Sequence, residues 1–177
     1  GLEAASRLGR SDYNNLIVFS SLSKRSNAPG LRSGYVAGDA DLIKAFLRYR
    51  TYHGSAMSTT IQMASVAAWN DEEHVAENRR LYTEKFKAFS AILEGKLELH
   101  IPPAGFYFWA DVGQSDTEFA KRLFEQAHVT LLPGSFLGRE VNGFNPGSNH
   151  VRIALVASLA ECNEAACRIA QQIKNSL

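Results

Sequence analysis

A short apolar run, Leu16-Ile17-Val18-Phe19, is followed five residues later by Lys24 and, eight residues beyond that, by Arg32. No other feature constrains the chain as much. A continuous run of large aliphatic and aromatic residues reads as a strand buried on both faces, as in a sheet covered by helices. Open α/β sheets place their ligands beyond the carboxyl ends of such strands. Ser21 and Ser23 precede the lysine, and Pro29-Gly30 turns the backbone between the two cations so that both ends of the loop can face one site. A lysine there would be partly desolvated and close to Arg25 and Arg32, and its amine can form a Schiff base with an aldehyde. An arginine fork makes bidentate, charge-assisted contacts to phosphate, and serine hydroxyls add donors. The run suits a covalently held cofactor with a phosphate tail. Taken singly, Lys24 also fits a surface lysine in a strand-to-helix loop, and Arg32 an ordinary ion pair.

The rest of the chain alternates strand and helix, the pattern of an α/β or α+β protein. Tyr35-Val36-Ala37 reads as a strand. Asp39 can cap a helix with Leu42, Ile43, Phe46 and Leu47 on its apolar face, broken at His53-Gly54-Ser55. A second helix is expected over residues 59–68 and a long one over 70–93, with Asn70 and Glu73 as its cap pair. In the long helix Tyr82, Phe86, Phe89 and Leu93 form one stripe, read as core. Strands follow over residues 97–100 and 105–112. Ser115 to Glu118 is a capping box for a helix with Phe119, Leu123 and Ala127 on one face. Residues 129–132 read as a strand, 143–149 as a Gly/Asn/Pro loop, and 151–156 as a strand. Ser158 and Glu161 cap a last helix that buries Leu159, Cys162, Ala166, Ile169 and Ile173. The organisation is then residues 1–69 as the end of a larger domain, 70–94 as a linking helix, and 95–177 as a small α+β domain.

Composition limits the function classes. A length of 177 residues fits one domain or one domain plus a piece of another. The net charge of +1 offers no basic field for nucleic acid. The apolar runs are too short and too often broken by charge to span a membrane. The start, Gly1-Leu2-Glu3-Ala4-Ala5, has neither the basic opening nor the apolar stretch of a signal peptide and reads as the middle of a longer protein. Lys174-Asn175-Ser176-Leu177 reads as a natural end. Cys162 and Cys167, five residues apart on one helix, point to different faces and lie beyond disulfide reach. Reduced thiols and a cytoplasmic location follow, and no metal site has suitable ligand spacing.

Val151, Ile153 and Leu155 share one face of their strand and leave Arg152 on the other. An arginine in an apolar strand needs an anionic partner, either a structural carboxylate or a ligand.

The segment Ser21, Leu22, Ser23, Lys24, Asn27, Ala28, Gly30, Arg32 and Gly34 resembles the lysine signature of class I and II aminotransferases, the fold-type I enzymes that use pyridoxal 5′-phosphate. Ser33 departs from it, since the pattern prefers an apolar residue there. Gly105-Phe106-Tyr107-Phe108-Trp109 resembles the family's glycine-aromatic strand, Pro133-Gly134-Ser135-Phe136 the loop that follows, and Val151 to Leu155 the strand whose arginine holds the substrate α-carboxylate. Ser23 to Asn27, Pro29 to Gly34, Tyr49 to Gly54 and Ala68 to Glu72 resemble, more narrowly, the bacterial N-succinyldiaminopimelate group of lysine biosynthesis.

The resemblance implies the C-terminal part of a PLP-dependent transferase fold: the end of a mainly parallel large-domain sheet with helices, a long linking helix, then the small domain. It implies amino transfer between glutamate and a keto acid, N-succinyl-2-amino-6-ketopimelate in the narrower group, by a homodimer. Lys24 would hold the cofactor and act as catalytic base. Ser21, Ser23 and Arg32 would anchor the phosphate, and Arg152 would bind the substrate carboxylate. His53 would lie where family dimers approach each other's active sites, as a distal-substrate or interface residue or as a loop histidine with no catalytic role. About half of the cofactor site, from the family's N-terminal half, has no counterpart here, so the isolated piece is expected to be inactive and to self-associate. An aspartate, aromatic or diaminopimelate-type aminotransferase is the alternative, as is a folded piece that binds no cofactor.

Overall fold

The computed structural model describes residues 1–175; Ser176 and Leu177, part of the end read as natural, lie outside the described residues. The chain forms two compact units, Gly1–Asn78 and Arg79–Leu177.

The first unit opens with a short helix, α1 (Leu2–Arg7), which no sequence periodicity announces. Strand β1 (Ile17–Ser21) leads into the one-turn helix α2 (Leu22–Arg25), a 3-10 turn over Pro29–Leu31, and strand β2 (Gly34–Gly38). The strands pair antiparallel, with Ile17 opposite Gly38 and Ser21 opposite Gly34. Among the described residues this end of the sheet is an antiparallel pair. The physical reason is the connection, which holds no full crossover helix of the kind parallel neighbours require. Nor is β1 buried on both faces: Phe19 is 62% exposed, its ring held edge-on to Phe46 at 5.6 Å.

Helix α3 (Ala40–Tyr52) starts where Asp39 accepts from the amides of Asp41 and Leu42, and stops before His53, as read from the sequence. Helix α4 (Thr59–Asn70) runs two residues past its expected end. Asn70 therefore closes α4 and does not cap the next helix. That role falls to Asp71, whose carboxylate accepts from the Glu73 amide at 2.8 Å and contacts His74 Nδ1 at 2.8 Å at the start of α5 (Glu73–Leu93).

In the second unit β3 (Tyr107–Asp111), β5 (His150–Ala154) and β4 (Leu132–Pro133) form an antiparallel sheet in the order β3-β5-β4. Phe86, Phe89 and Leu93 of α5 cover its inner face together with α6 (Asp116–Ala127) and α7 (Leu159–Asn175). Phe108 is the pivot, 4.8 Å edge-on to Phe86 and 5.7 Å from Phe89. Val151, Ile153 and Leu155 face this core, as the alternation requires. Ser115 and the reciprocal Ser158–Glu161 pair cap α6 and α7.

Two expected strands are absent or shortened. Residues 97–100 form no strand: Leu97 and Leu99 pack on the core and Glu98 pairs with His100 at 3.3 Å, so the alternation records burial without a partner strand. Of residues 129–132 only Leu132 joins the sheet, with Pro133. Val129 and Leu131 fill core instead, and a proline can donate nothing to extend a ladder.

Candidate active site

The loop that carries Lys24 is shaped by its ends. Leu22 is fully buried; its amide donates to the Ser33 carbonyl at 3.1 Å, and its carbonyl accepts from the amides of Ser26 and Ala28 at 3.0 and 3.2 Å. Ser33 is 4% exposed, which accounts for the apolar preference of the pattern at that position. Gly34 is required by close approach: a Cβ there would lie 2.6 Å from the Ser20 carbonyl oxygen across the strand pair. Asn27 and Arg32 both take left-handed backbone conformations, with φ of 51° each. Such geometry in residues other than glycine persists only where the surroundings impose it, and it clusters at ligand sites.

Lys24 stands on α2 and is exposed. Arg32 is also exposed and donates from Nη1 to the Pro29 carbonyl at 2.9 Å, which ties its guanidinium across the 3-10 turn. Ser21 is the residue before α2, yet its hydroxyl makes no cap bond. Four of the five expected residues, Ser21, Ser23, Lys24 and Arg32, thus fall within one short segment of the first unit. The segment carries two serine hydroxyls, a guanidinium and an amine, the group types that an anion and an aldehyde take.

Arg25 behaves differently from the free cation expected beside Lys24. Its guanidinium turns away to the end of α4 and pairs with Glu72.

Arg152, the fifth residue, belongs to the second unit, directly opposite Trp109 on β3 and Leu132 on β4. Its guanidinium carbon lies 5.6 Å from the Tyr107 ring centre, a cation–π contact. The Nε is buried and has no hydrogen-bond partner. Among the described residues no carboxylate pairs with it. A buried, unsatisfied arginine nitrogen is costly unless a ligand supplies the acceptor.

Around this strand lies a network the sequence reading missed. Asp116 is 5% exposed; its carboxylate accepts from the Ser135 amide at 2.9 Å, the Ser135 hydroxyl at 2.6 Å and the Asn149 amide at 3.3 Å. Burial alone would raise its pKa, but these donors outweigh burial and hold it below the usual carboxylate value. Asn145 donates to the Ser135 carbonyl at 3.0 Å, and the backbones of Gly134 and Gly147 approach so closely that neither leaves room for a Cβ. The only signal in the sequence was Asp116 inside a capping box, where it read as one more first-turn acid. His150 stacks on Trp109 at 5.5 Å and contacts the Ser148 carbonyl, and His74 pairs with Asp71. His53 stacks on Tyr49 at 4.3 Å.

A family model described as aminotransferase class I and II matches residues 1–169, and the chain belongs to that family. The family depends on pyridoxal phosphate. An aminotransferase structure from Neisseria meningitidis is 53% identical, with a TM-score of 0.89 over 97% of this chain and 44% of that one. A probable N-succinyldiaminopimelate aminotransferase from Thermus thermophilus is 32% identical, with a TM-score of 0.77 over 92% of this chain and 43% of that one. Among curated proteins, an LL-diaminopimelate aminotransferase from Moorella thermoacetica is 36% identical over 86% of this chain and 39% of its own length. The chain thus spans well under half of the relatives it matches.

Proposed function

We propose that the full protein is a pyridoxal-phosphate-dependent aminotransferase that moves an amino group between glutamate and a keto acid, the acceptor being N-succinyl-2-amino-6-ketopimelate of lysine biosynthesis. The observation that carries the reading is the Lys24 segment, where Lys24 and Arg32 are both exposed and share one short segment with Ser21 and Ser23. When bound, the cofactor supplies an aldehyde and a conjugated ring that takes up electrons. Lys24 would hold that aldehyde, and its Nζ, when free, would move the proton at the substrate Cα. Ser21, Ser23 and Arg32 bind the phosphate. Arg152 binds the α-carboxylate through its otherwise unsatisfied face and so orients the Cα–H bond. The working enzyme is a cytoplasmic homodimer, and the 177-residue piece alone is inactive because it holds only part of the site.

The choice of acceptor is supported by relatives whose names carry the diaminopimelate skeleton. It is tested by comparing acceptors in the full-length enzyme with glutamate as donor. The succinylated keto acid should exceed oxaloacetate and aromatic keto acids by about a hundredfold in kcat/KM. A preference for oxaloacetate or an aromatic acid would assign the protein to another branch of the family.

A further inference from the structure

Lys24 rides on a helix of a single turn. Such a helix has no stability of its own, because nucleation costs more than one turn returns. Its position must come from tertiary anchors. The amino end has one, the fully buried Leu22, bonded to Ser33. At the carboxyl end stands Arg25, adjacent to Lys24.

The Arg25 side chain is 16% exposed. Its Nη1 donates to the Ala68 carbonyl at 2.8 Å and reaches Ser26 Oγ at 3.4 Å. Its Nη2 reaches the carbonyls of Trp69 and Asp71, both at 3.4 Å, and pairs with the Glu72 carboxylate. Its guanidinium carbon lies 5.0 Å from the Trp69 ring centre, and that ring meets Tyr35 of β2 edge-on at 5.1 Å. Ala68 and Trp69 fall in the last turn of α4, whose carbonyls have no partner within the helix and carry the negative end of its dipole. One planar fork thus closes α4 and ties α2 to it. A lysine, with a single point charge, can satisfy part of this set only.

We propose that Arg25 is a positioning residue that fixes α2 against the end of α4 and thereby sets where the Lys24 amine stands. The proposal rests on the reading of Lys24 as the cofactor-binding lysine. It distinguishes two adjacent cations: one faces the chemistry, and the other is spent on holding it in place.

The test uses the full-length protein and has two readouts. In the cofactor-free protein, hydrogen exchange over residues 22–28 should speed up at least about tenfold in Arg25→Ala. In the loaded enzyme, kcat should fall about tenfold or more, with KM for the amino donor within about twofold, because orientation is lost and substrate binding is not. Arg25→Lys should recover part of both effects. Faster exchange confined to residues 66–72, with kcat unchanged, would reduce Arg25 to a cap for α4 and overturn the proposal. Should Arg25→Ala fail to fold, Glu72→Gln keeps the carbonyl contacts and removes the ion pair. It should raise exchange over 22–28 about two- to threefold, and no change there would count against the tie. Borohydride labelling of wild type at Lys24 separates the two claims: no label there refutes the functional reading, while exchange still decides whether Arg25 governs α2.

Discussion

Replacing Asp116 by alanine or asparagine probes how the strand of Arg152 is held. Asp116 accepts three hydrogen bonds at 2.6, 2.9 and 3.3 Å while only 5% exposed. Bonds to a charged group contribute roughly 1.5–3 kcal/mol each, and the longest of the three adds little. Asp116→Ala removes the two short bonds and strands the Ser135 donors, for a loss of about 3–5 kcal/mol. Asp116→Asn keeps an acceptor for Ser135 but turns an amino group toward the Asn149 amide, a donor against a donor, for about 1–2 kcal/mol. For a chain of this size those losses lower Tm by roughly 6–20 °C and 2–8 °C. The pH dependence has a definite sign. The folded pKa lies below the ordinary value, so the carboxylate stabilises the fold above about pH 4, and that contribution fades as pH falls through the folded value. Thermal melts of wild type and Asp116→Asn from pH 7 to pH 2.5 should show a gap that narrows toward the acid end. A gap that stays constant across that range would mean that the charge of Asp116 does not hold the loops.

Three further outcomes follow. Gly34→Ala should cost about 1–3 kcal/mol, read as a lower denaturant midpoint, because its Cβ meets the Ser20 carbonyl; an unchanged midpoint would contradict the pairing of β1 with β2. Cys167 is exposed and should react with a thiol reagent in the native protein, whereas Cys162, whose pKa burial raises, should react only on unfolding; equal rates would contradict the packing of α7. Arg152→Lys in the full-length enzyme should raise KM for the amino donor about ten- to a hundredfold, roughly 1.4–2.8 kcal/mol of binding; an unchanged KM would remove Arg152 from the substrate.

Much of the architecture was legible because local chemistry and burial agree. The cap at Asp39, the Ser158–Glu161 box and the stripe Phe86, Phe89, Leu93 are local patterns, and each has its expected role. The failures share a cause. Whether residues 97–100 or 129–131 join a sheet depends on a distant partner strand, and alternation of burial looks the same without one. The face of Arg152 was legible from the alternation along β5. The destination of Arg25 was not, since its partners lie more than forty residues away at the end of another helix.

The claim at the centre is that Lys24 is the residue that takes the cofactor. Full-length protein incubated with pyridoxal phosphate, reduced with borohydride and digested should yield one phosphopyridoxyl peptide, carrying the label on Lys24, and Lys24→Ala should yield none. A label on another lysine, with Lys24 unmodified, would contradict the account.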